Sequence, residues 1–462
     1  MRFSVAFAFF ILLFSSFVTS AQHLRHKGSL GISYAAASDS LMSTQHLPDS
    51  HGILVKSVMP DFTAARLGIK AGDILVSINE TDSLYLFDFR KLEQELYEQE
   101  PISITYIRNR KKARAVGNVV AAPKEFSKGE VIYGEVPYQR GYLRSIVHKP
   151  LGSNRLPAIF YIQGHGCGSV HFAEDSLAPV KQLVDGWVSA GYVVFRIEKP
   201  GVGESAGTKE CVRLSYEEEK AAFQNAFAAF KKLSFVDSTR YFLFGHSLGG
   251  ALAPLLVAQS GSKPRGIITY GTVVKPWFEH MIDVYRQKPL LYQESYQSIE
   301  ANTRMMIPLL YEWLVQAKTP TELLQEPDFE AILTSKENPL AYHRGTFFGR
   351  SSGYFTELQQ QNLTQAWAQA AVPTLALYGE FDSEAISPES AQSIARIVNE
   401  VRPELGTYRQ LKGTDQHFIK VTSFVEAAQL QKSGQYMQYA RRHFNPEILT
   451  ETLGWMKKLN GK

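Results

Sequence analysis

The sequence predicts an α/β protein: a mostly parallel sheet with helices on both faces and a helical insertion, preceded by a small α+β unit. Three observations predict it. From Ala158 onward, short apolar runs alternate with helical stretches. One of those runs, residues 241–244, meets a helical stretch across Gly245-His246-Ser247-Leu248-Gly249. Ahead of them, residues 28–120 have another texture, with strands of period two around one short helix.

The chain starts with Met1 and Arg2, an almost unbroken apolar stretch over 3–14, and the small residues Val18-Thr19-Ser20-Ala21. Residues 1–21 therefore read as a secretory signal peptide. The apolar core is shorter than the roughly 20 residues a span needs, which favours cleavage over an uncleaved anchor. The expected mature protein is exported, periplasmic or secreted, with no stable membrane span. Export would put Cys167 and Cys211, the two cysteines, where disulfides form.

With 462 residues, 44% hydrophobic and 20% charged, the chain has an ordinary globular composition and room for two or three domains. A net charge of +4 is mild, and the densest basic run is Arg108-Asn109-Arg110-Lys111-Lys112. That run reads as a solvated turn between strands, so nucleic acid is not an expected partner.

In the front unit, Ile53, Val55 and Val58 and then Ile74, Val76 and Ile78 alternate as strands around a short helix closed by Gly68. The order Val58-x-Pro60, Ala64-Ala65, Gly68-Ile69, Gly72-Asp73, Ile74, Ile78-Asn79 resembles a PDZ domain over residues 28–120. The resemblance implies that Leu30, Gly31 and Ile32 form a loop whose amides hold a peptide's terminal carboxylate. A purely structural module, packed on its neighbour without a ligand, is the alternative.

The second unit is expected over 130–462. Residues 131–134 and 143–148 read as antiparallel opening strands. Strands then follow at 158–162, 192–197, 241–244, 266–270, 373–378 and 407–411, with helices at 177–190 and 216–233. Such alternation means a parallel sheet with its chemistry at the carboxyl ends of the strands. Residues 275–370 break the rhythm; they are helical and rich in aromatics such as Trp277, Phe278, Tyr285 and Trp313. They read as a lid over the carboxyl edge, with extra core helices as the alternative.

Gly-x-Ser-x-Gly between a strand and a helix is a nucleophile elbow, which presents Ser247 and leaves the Leu248 amide free at the helix start. A serine hydroxyl needs a base, normally a histidine oriented by a carboxylate. After late strands, the candidates are Asp382 in Tyr378-Gly379-Glu380-Phe381-Asp382 and His417 in Gly413-Thr414-Asp415-Gln416-His417. Glu380 shares the loop of Asp382, and Asp415 is too near His417 along the chain to be the usual orienting group. The elbow, the Tyr-Gly-x-x-Asp stretch and the late histidine resemble the α/β-hydrolase superfamily.

That resemblance implies an oxyanion hole made by the amides of Leu248 and, from the loop Gln163-Gly164-His165-Gly166-Cys167-Gly168, Cys167. It also implies that the loop leading to Cys211 neighbours this one, so that a Cys167–Cys211 disulfide fits. Glu198 stands where the superfamily more often has Asp and reads as structural. No cofactor and no metal are expected. The expected function is an exported serine hydrolase acting through Ser247, His417 and Asp382 on an ester, thioester or amide carbonyl of a small-molecule or peptide substrate. A carboxylesterase is favoured; the alternatives are a serine peptidase, an acyltransferase, or a non-catalytic peptide-binding scaffold.

Overall fold

Alternation along the strands decides what each face of the sheets buries. The computed structural model describes residues 24–44, 51–82, 84–152 and 154–461, and the expected signal peptide lies outside them. In the front part, strands β1 (Gly28–Ser29), β2 (Ile32–Ala36), β3 (Ile53–Val58), β4 (Ile74–Ile78), β5 (Thr81–Asp82), β6 (Pro101–Arg108), β7 (Lys111–Asn118) and β8 (Val120–Ala121) are joined by short helices α1 (Asp39–Thr44), α2 (Thr63–Arg66) and α3 (Leu86–Gln94). The antiparallel sheet runs β2-β3-β4-β6-β7, β5 folds back on β4, and β1 pairs with β8. Leu30, Ile53, Val55, Ile78, Phe89 and Ile104 fill its core. Gly68, at φ 73°, ends α2 as expected, because its left-handed conformation suits a residue without Cβ. The basic run is the β6–β7 turn: Asn109 and Arg110 take φ 52° and 64°, and Arg108 pairs with the buried Asp73.

The second sheet contains β9 (Glu130–Tyr138), β10 (Gly141–Lys149), β11 (Leu156–Ile162), β12 (Val193–Ile197), β13 (Val236–His246), β14 (Gly266–Tyr270), β17 (Thr374–Gly379) and β18 (Gly406–Leu411). Its order is β18-β17-β14-β13-β11-β12-β10-β9. The β9–β10 and β10–β12 pairs are antiparallel and the other pairs parallel, as the alternating sequence requires. On β11, Ala158, Phe160 and Ile162 enter one core while Ile159 and Tyr161 enter the other. Both faces being covered, these strands read as continuous apolar runs rather than alternating ones.

On the face of Ile159 lie α4 (Pro179–Ser189) and α16 (Glu447–Asn460), tied by Trp187 Nε1 donating to Thr452 Oγ1 at 3.0 Å. On the other lie α5 (Tyr216–Lys231), α6 (Leu248–Ala258) and α13 (Glu389–Val401). Ser215 and Glu218 form a reciprocal capping box that starts α5.

Between β14 and β17 come α7 (Trp277–Arg286), α8 (Tyr296–Leu310), a π turn at Tyr311–Val315, α9 (Pro320–Leu323), α10 (Pro327–Leu333), the two-residue strands β15 (Thr346–Phe347) and β16 (Arg350–Ser351), α11 (Ser352–Gln359) and α12 (Leu363–Ala370). The helix α12 packs on α6 and α13, its Trp367 and Ala370 joining the core of Leu252 and Ile394, so it covers the sheet rather than the carboxyl edge. The last part adds α14 (Phe424–Lys432) and α15 (Tyr436–Ala440) before α16. Among the described residues no helix is long and apolar enough to cross a membrane.

Candidate active site

Strand β13 and helix α6 meet at Ser247, which takes φ 54° and ψ −128°. A non-glycine residue holds that conformation only when its surroundings over-determine it. They do here. A Cβ on Gly245 would lie 2.5 Å from the Gly250 Cα, and one on Gly249 would lie 2.1 Å from the Ile162 carbonyl oxygen. The Ser247 N–H donates to the Tyr270 carbonyl at 2.9 Å, which ties the elbow to β14.

Ser247 opens into a cavity of about 470 Å³ at the carboxyl ends of the strands. Val273, Trp277, Met281, Val284, Phe348 and Phe355 make its wall apolar, and all six come from between β14 and β17. Burial pulls three of its imidazoles down, His165 and His280 to about 4 and His246 to about 3, which leaves those three neutral. Glu384 also lines it and accepts from Lys288 Nζ at 3.0 Å. Burial raises the Glu384 carboxyl, but Lys288 outweighs that and leaves it below the ordinary range.

The loops after β17 and β18 bring three side chains to Ser247 in an arrangement that departs from the expected one. The Gln416 amide is assigned with its nitrogen toward the carboxylate, since both Asp382 oxygens are acceptors. It then donates to Asp382 (2.9 Å to Oδ1), while its oxygen accepts from Ser247 Oγ at 3.1 Å. Gln416 thus fills the gap between hydroxyl and carboxylate where an imidazole was expected. Gly271, at φ 59°, leaves room for this, since a Cβ there would fall on the Gln416 amide and the Asp382 carboxylate. Asp382 is fully buried, accepts the Glu384 and Ala385 amides, and is pushed up by burial to about 7.

His417 sits one residue on, exposed at the cavity mouth and lining the same wall as Ser247. Its Nδ1 meets the Tyr436 hydroxyl at 2.9 Å, and Tyr436 also donates to Asp415 Oδ2 at 2.5 Å. The expectation that Asp382 bonds His417 is therefore corrected: Asp382 bonds Gln416, and Asp415 reaches His417 through Tyr436. Adjacency in the chain had set Asp415 aside, yet the helix α15 supplies the bridging hydroxyl.

Cys167 is corrected as well. It lies outside the cavity wall, which Gly164, His165 and Gly166 form instead. A Cβ on Gly164 would come within 3.0 Å of the Ser247 Cβ, so the loop crosses the nucleophile position three residues earlier than Cys167. Leu248 does line the cavity. Cys167 is bridged to Cys211, with a Cα–Cα distance of 5.8 Å, beside Val202 and Leu214. The bridge clamps the 163–169 loop to the loop after β12. Glu198 reinforces the clamp by accepting from Ser169 Oγ and from the Glu204 amide.

Behind the loop, sequence reasoning missed a buried charge cluster. Lys199 Nζ donates to the Gly164 carbonyl at 2.6 Å and to Glu219 at 2.9 Å. Arg350 donates to the His165 carbonyl and, at 2.7 Å, to Glu219. Burial pulls Lys199 down to about 8 with Glu219 opposing it, and burial raises Glu219 until Lys199 and Arg350 bring it below the ordinary range. Arg350 stands 131 residues from Glu219, so no local pattern linked them. Three charged residues in apolar surroundings were the available signal.

In the front part, Leu30 and Ile32 are buried in the core, and the Gly31 N–H donates to Ser29 Oγ at 3.2 Å. Gly31 takes φ 66°, and a Cβ there would meet Phe62 at 2.2 Å. Just ahead of β1, the Lys27 N–H donates to Glu204, in the loop after β12, at 2.8 Å. Among the described residues no group of three or more His, Cys, Asp or Glu is placed to hold a metal ion.

Family models match both parts of the chain. A family model described as serine aminopeptidase, S33, matches residues 169–412, and a PDZ domain model matches residues 20–84. Similar solved structures include a carboxyl esterase from Bacillus coagulans (16% identity, 71% of this chain and 98% of that one, TM-score 0.41). Est1E from Butyrivibrio proteoclasticus is another (12%, 72% and 99%, TM-score 0.39), as is the esterase domain of a Rhodothermus marinus protein (15%, 68% and 100%, TM-score 0.38). No curated protein matches the chain.

Proposed function

The chain belongs to the serine aminopeptidase S33 family of α/β hydrolases and carries a PDZ domain in front, and from that premise we propose an exported carboxylesterase acting on esters with an apolar acyl group. One observation carries the reading: Ser247, held at φ 54° on a sharp elbow, opens into an apolar cavity whose wall also presents His417. The disulfide and the apolar N-terminus support export.

In this reading Ser247 Oγ turns from Gln416 toward His417 and attacks the carbonyl carbon. The hydroxyl proton passes to His417 Nε2 as the oxygen–carbon bond forms and the carbonyl becomes an oxyanion. Two amides receive it. One is Leu248 N–H at the start of α6. The other is His165 N–H: across a trans peptide it points opposite to the Gly164 carbonyl, which Lys199 holds away from the nucleophile. Collapse expels the alcohol, which takes the proton from Nε2, and water repeats the sequence on the acyl-enzyme. Gln416, held by Asp382, positions the resting Ser247 hydroxyl.

The Lys288–Glu384 pair favours an ester over an aminopeptidase substrate, because the ammonium of a peptide terminus needs a carboxylate that is not already paired. A non-catalytic scaffold is favoured by a different observation, the amide of Gln416 standing between Ser247 and Asp382. A fluorophosphonate probe separates the two. Wild type is expected to react, and Ser247→Ala and His417→Ala to lose most of the labelling. A wild type that stays unlabelled supports the scaffold. With labelling established, p-nitrophenyl acyl esters are expected to be cleaved much faster than aminoacyl p-nitroanilides. The Leu30-Gly31-Ile32 loop would hold the carboxylate of a peptide at the β2 edge, tested by titrating a labelled peptide against its C-terminal amide.

A further inference from the structure

We propose that Tyr436 orients His417, backed by Asp415, and that this pair takes the part expected of Asp382 after β17. The inference rests on His417 being the base and goes further by naming what makes it one.

A single proton sets the tautomer of His417. Asp415 is buried and acts only as an acceptor: Oδ1 takes the backbone N–H groups of His417 (2.9 Å) and Ile419 (3.1 Å), and Oδ2 takes the Tyr436 hydroxyl at 2.5 Å. The Tyr436 hydroxyl has one proton, and it points at Asp415. Its oxygen therefore faces His417 Nδ1, 2.9 Å away, with lone pairs alone. Nδ1 must carry the hydrogen and donate it. The neutral ring then has its free lone pair on Nε2, the tautomer a general base needs. When Nε2 takes the serine proton, the Nδ1–H···Oη–H···Oδ2 chain places Asp415 two hydrogen bonds from the new cation. Burial raises the Tyr436 hydroxyl, and Asp415 raises it further, so the tyrosine keeps its proton throughout.

Asp382 cannot do this as placed, because its partners are the Gln416 amide and the Glu384 and Ala385 N–H groups. The other groups near His417 are Glu384, on the loop after β17, and the His246 ring 6.3 Å away at the end of β13. Glu384 is already paired with Lys288, and burial keeps His246 neutral.

The test compares Tyr436→Phe with Asp382→Asn, using a p-nitrophenyl ester across pH 5–9. In Tyr436→Phe, Nδ1–H loses its acceptor, so kcat falls by on the order of 10–100-fold, at the lower end of what a positioned base contributes. KM stays within about twofold, and the acid limb of kcat/KM moves to lower pH because the imidazolium has lost its partner. Asp382→Asn lowers kcat through Gln416 and Ser247, and because the Asp382 carboxyl is itself pushed up to about 7 the comparison is read on the His417 ring, titrated by NMR of its Cε1–H. The ring is expected to titrate at lower pH in Tyr436→Phe and at the wild-type position in Asp382→Asn. An unmoved ring in Tyr436→Phe, or a displaced one in Asp382→Asn, overturns the proposal. Thermal midpoints accompany both, since a merely structural tyrosine would change the midpoint and not the ring's titration. If Tyr436→Phe does not fold, the ring of Asp382→Asn decides alone. Failure of the underlying reading shows separately, as a wild type that labels no faster than His417→Ala.

Discussion

Replacing both bridged cysteines, Cys167→Ala with Cys211→Ala, is expected to destabilise the protein by roughly 4 kcal/mol. The figure follows from the loop. The bridged positions are 44 residues apart, and closing a loop of that size removes about 13 cal/mol/K from the unfolded chain. Native packing adds little, because the bridge sits in a small satellite cluster with Val202 and Leu214 rather than in either main core. Alanine avoids burying an unpartnered hydroxyl at Cys211, which is 3% exposed. The assay is urea unfolding followed by tryptophan emission. All five tryptophans (Trp187, Trp277, Trp313, Trp367 and Trp455) lie in the hydrolase part, so the signal reports that unit alone. Treating wild type with reductant before unfolding should reproduce the shift of the variant. A loss under about 1 kcal/mol in both experiments would refute the chain-entropy reasoning.

Two further outcomes follow from the geometry. Ser247→Gly is expected to abolish ester cleavage yet raise stability by about 1–3 kcal/mol, because glycine relieves φ 54°, ψ −128°; an unchanged or lower thermal midpoint would count against the elbow being strained. Glu125 accepts from Arg196 at 2.8 Å and contacts His148 at 2.8 Å; burial raises its carboxyl, but Arg196 and His148 together hold it well below the ordinary 4.5. A depressed folded pKa means that stability is present above pH 4.5 and is lost as pH falls toward the folded value, so urea midpoints should drop below that pH. Glu125→Gln should flatten the drop, and an equal slope in the variant would show that another group carries it.

Much of this molecule was written in local pattern. Period-two strands, the glycines at 245 and 249 around Ser247, and Gly68 after α2 each encode a backbone geometry within a few residues, and the structure has them. The late loop was harder to read. Whether Gln416 or His417 faces Asp382 turns on one residue of register in the loop after β18, and both residue types are polar. Spacing alone does not resolve a shift of one position. Cys167 shows the same limit, since the loop after β11 crosses Ser247 at Gly164, where only β13 and α6 packed against it reveal the crossing.

By itself, then, the sequence determined the two sheets, the serine at its bend and the histidine near it, because strand alternation and glycine conformations are local properties. Tertiary structure alone decided which groups those side chains meet. Tyr436 on α15, Arg350 on β16 and Glu219 on α5 reach the site from separate elements, and their hydrogen bonds exist only once the packed helices bring them there.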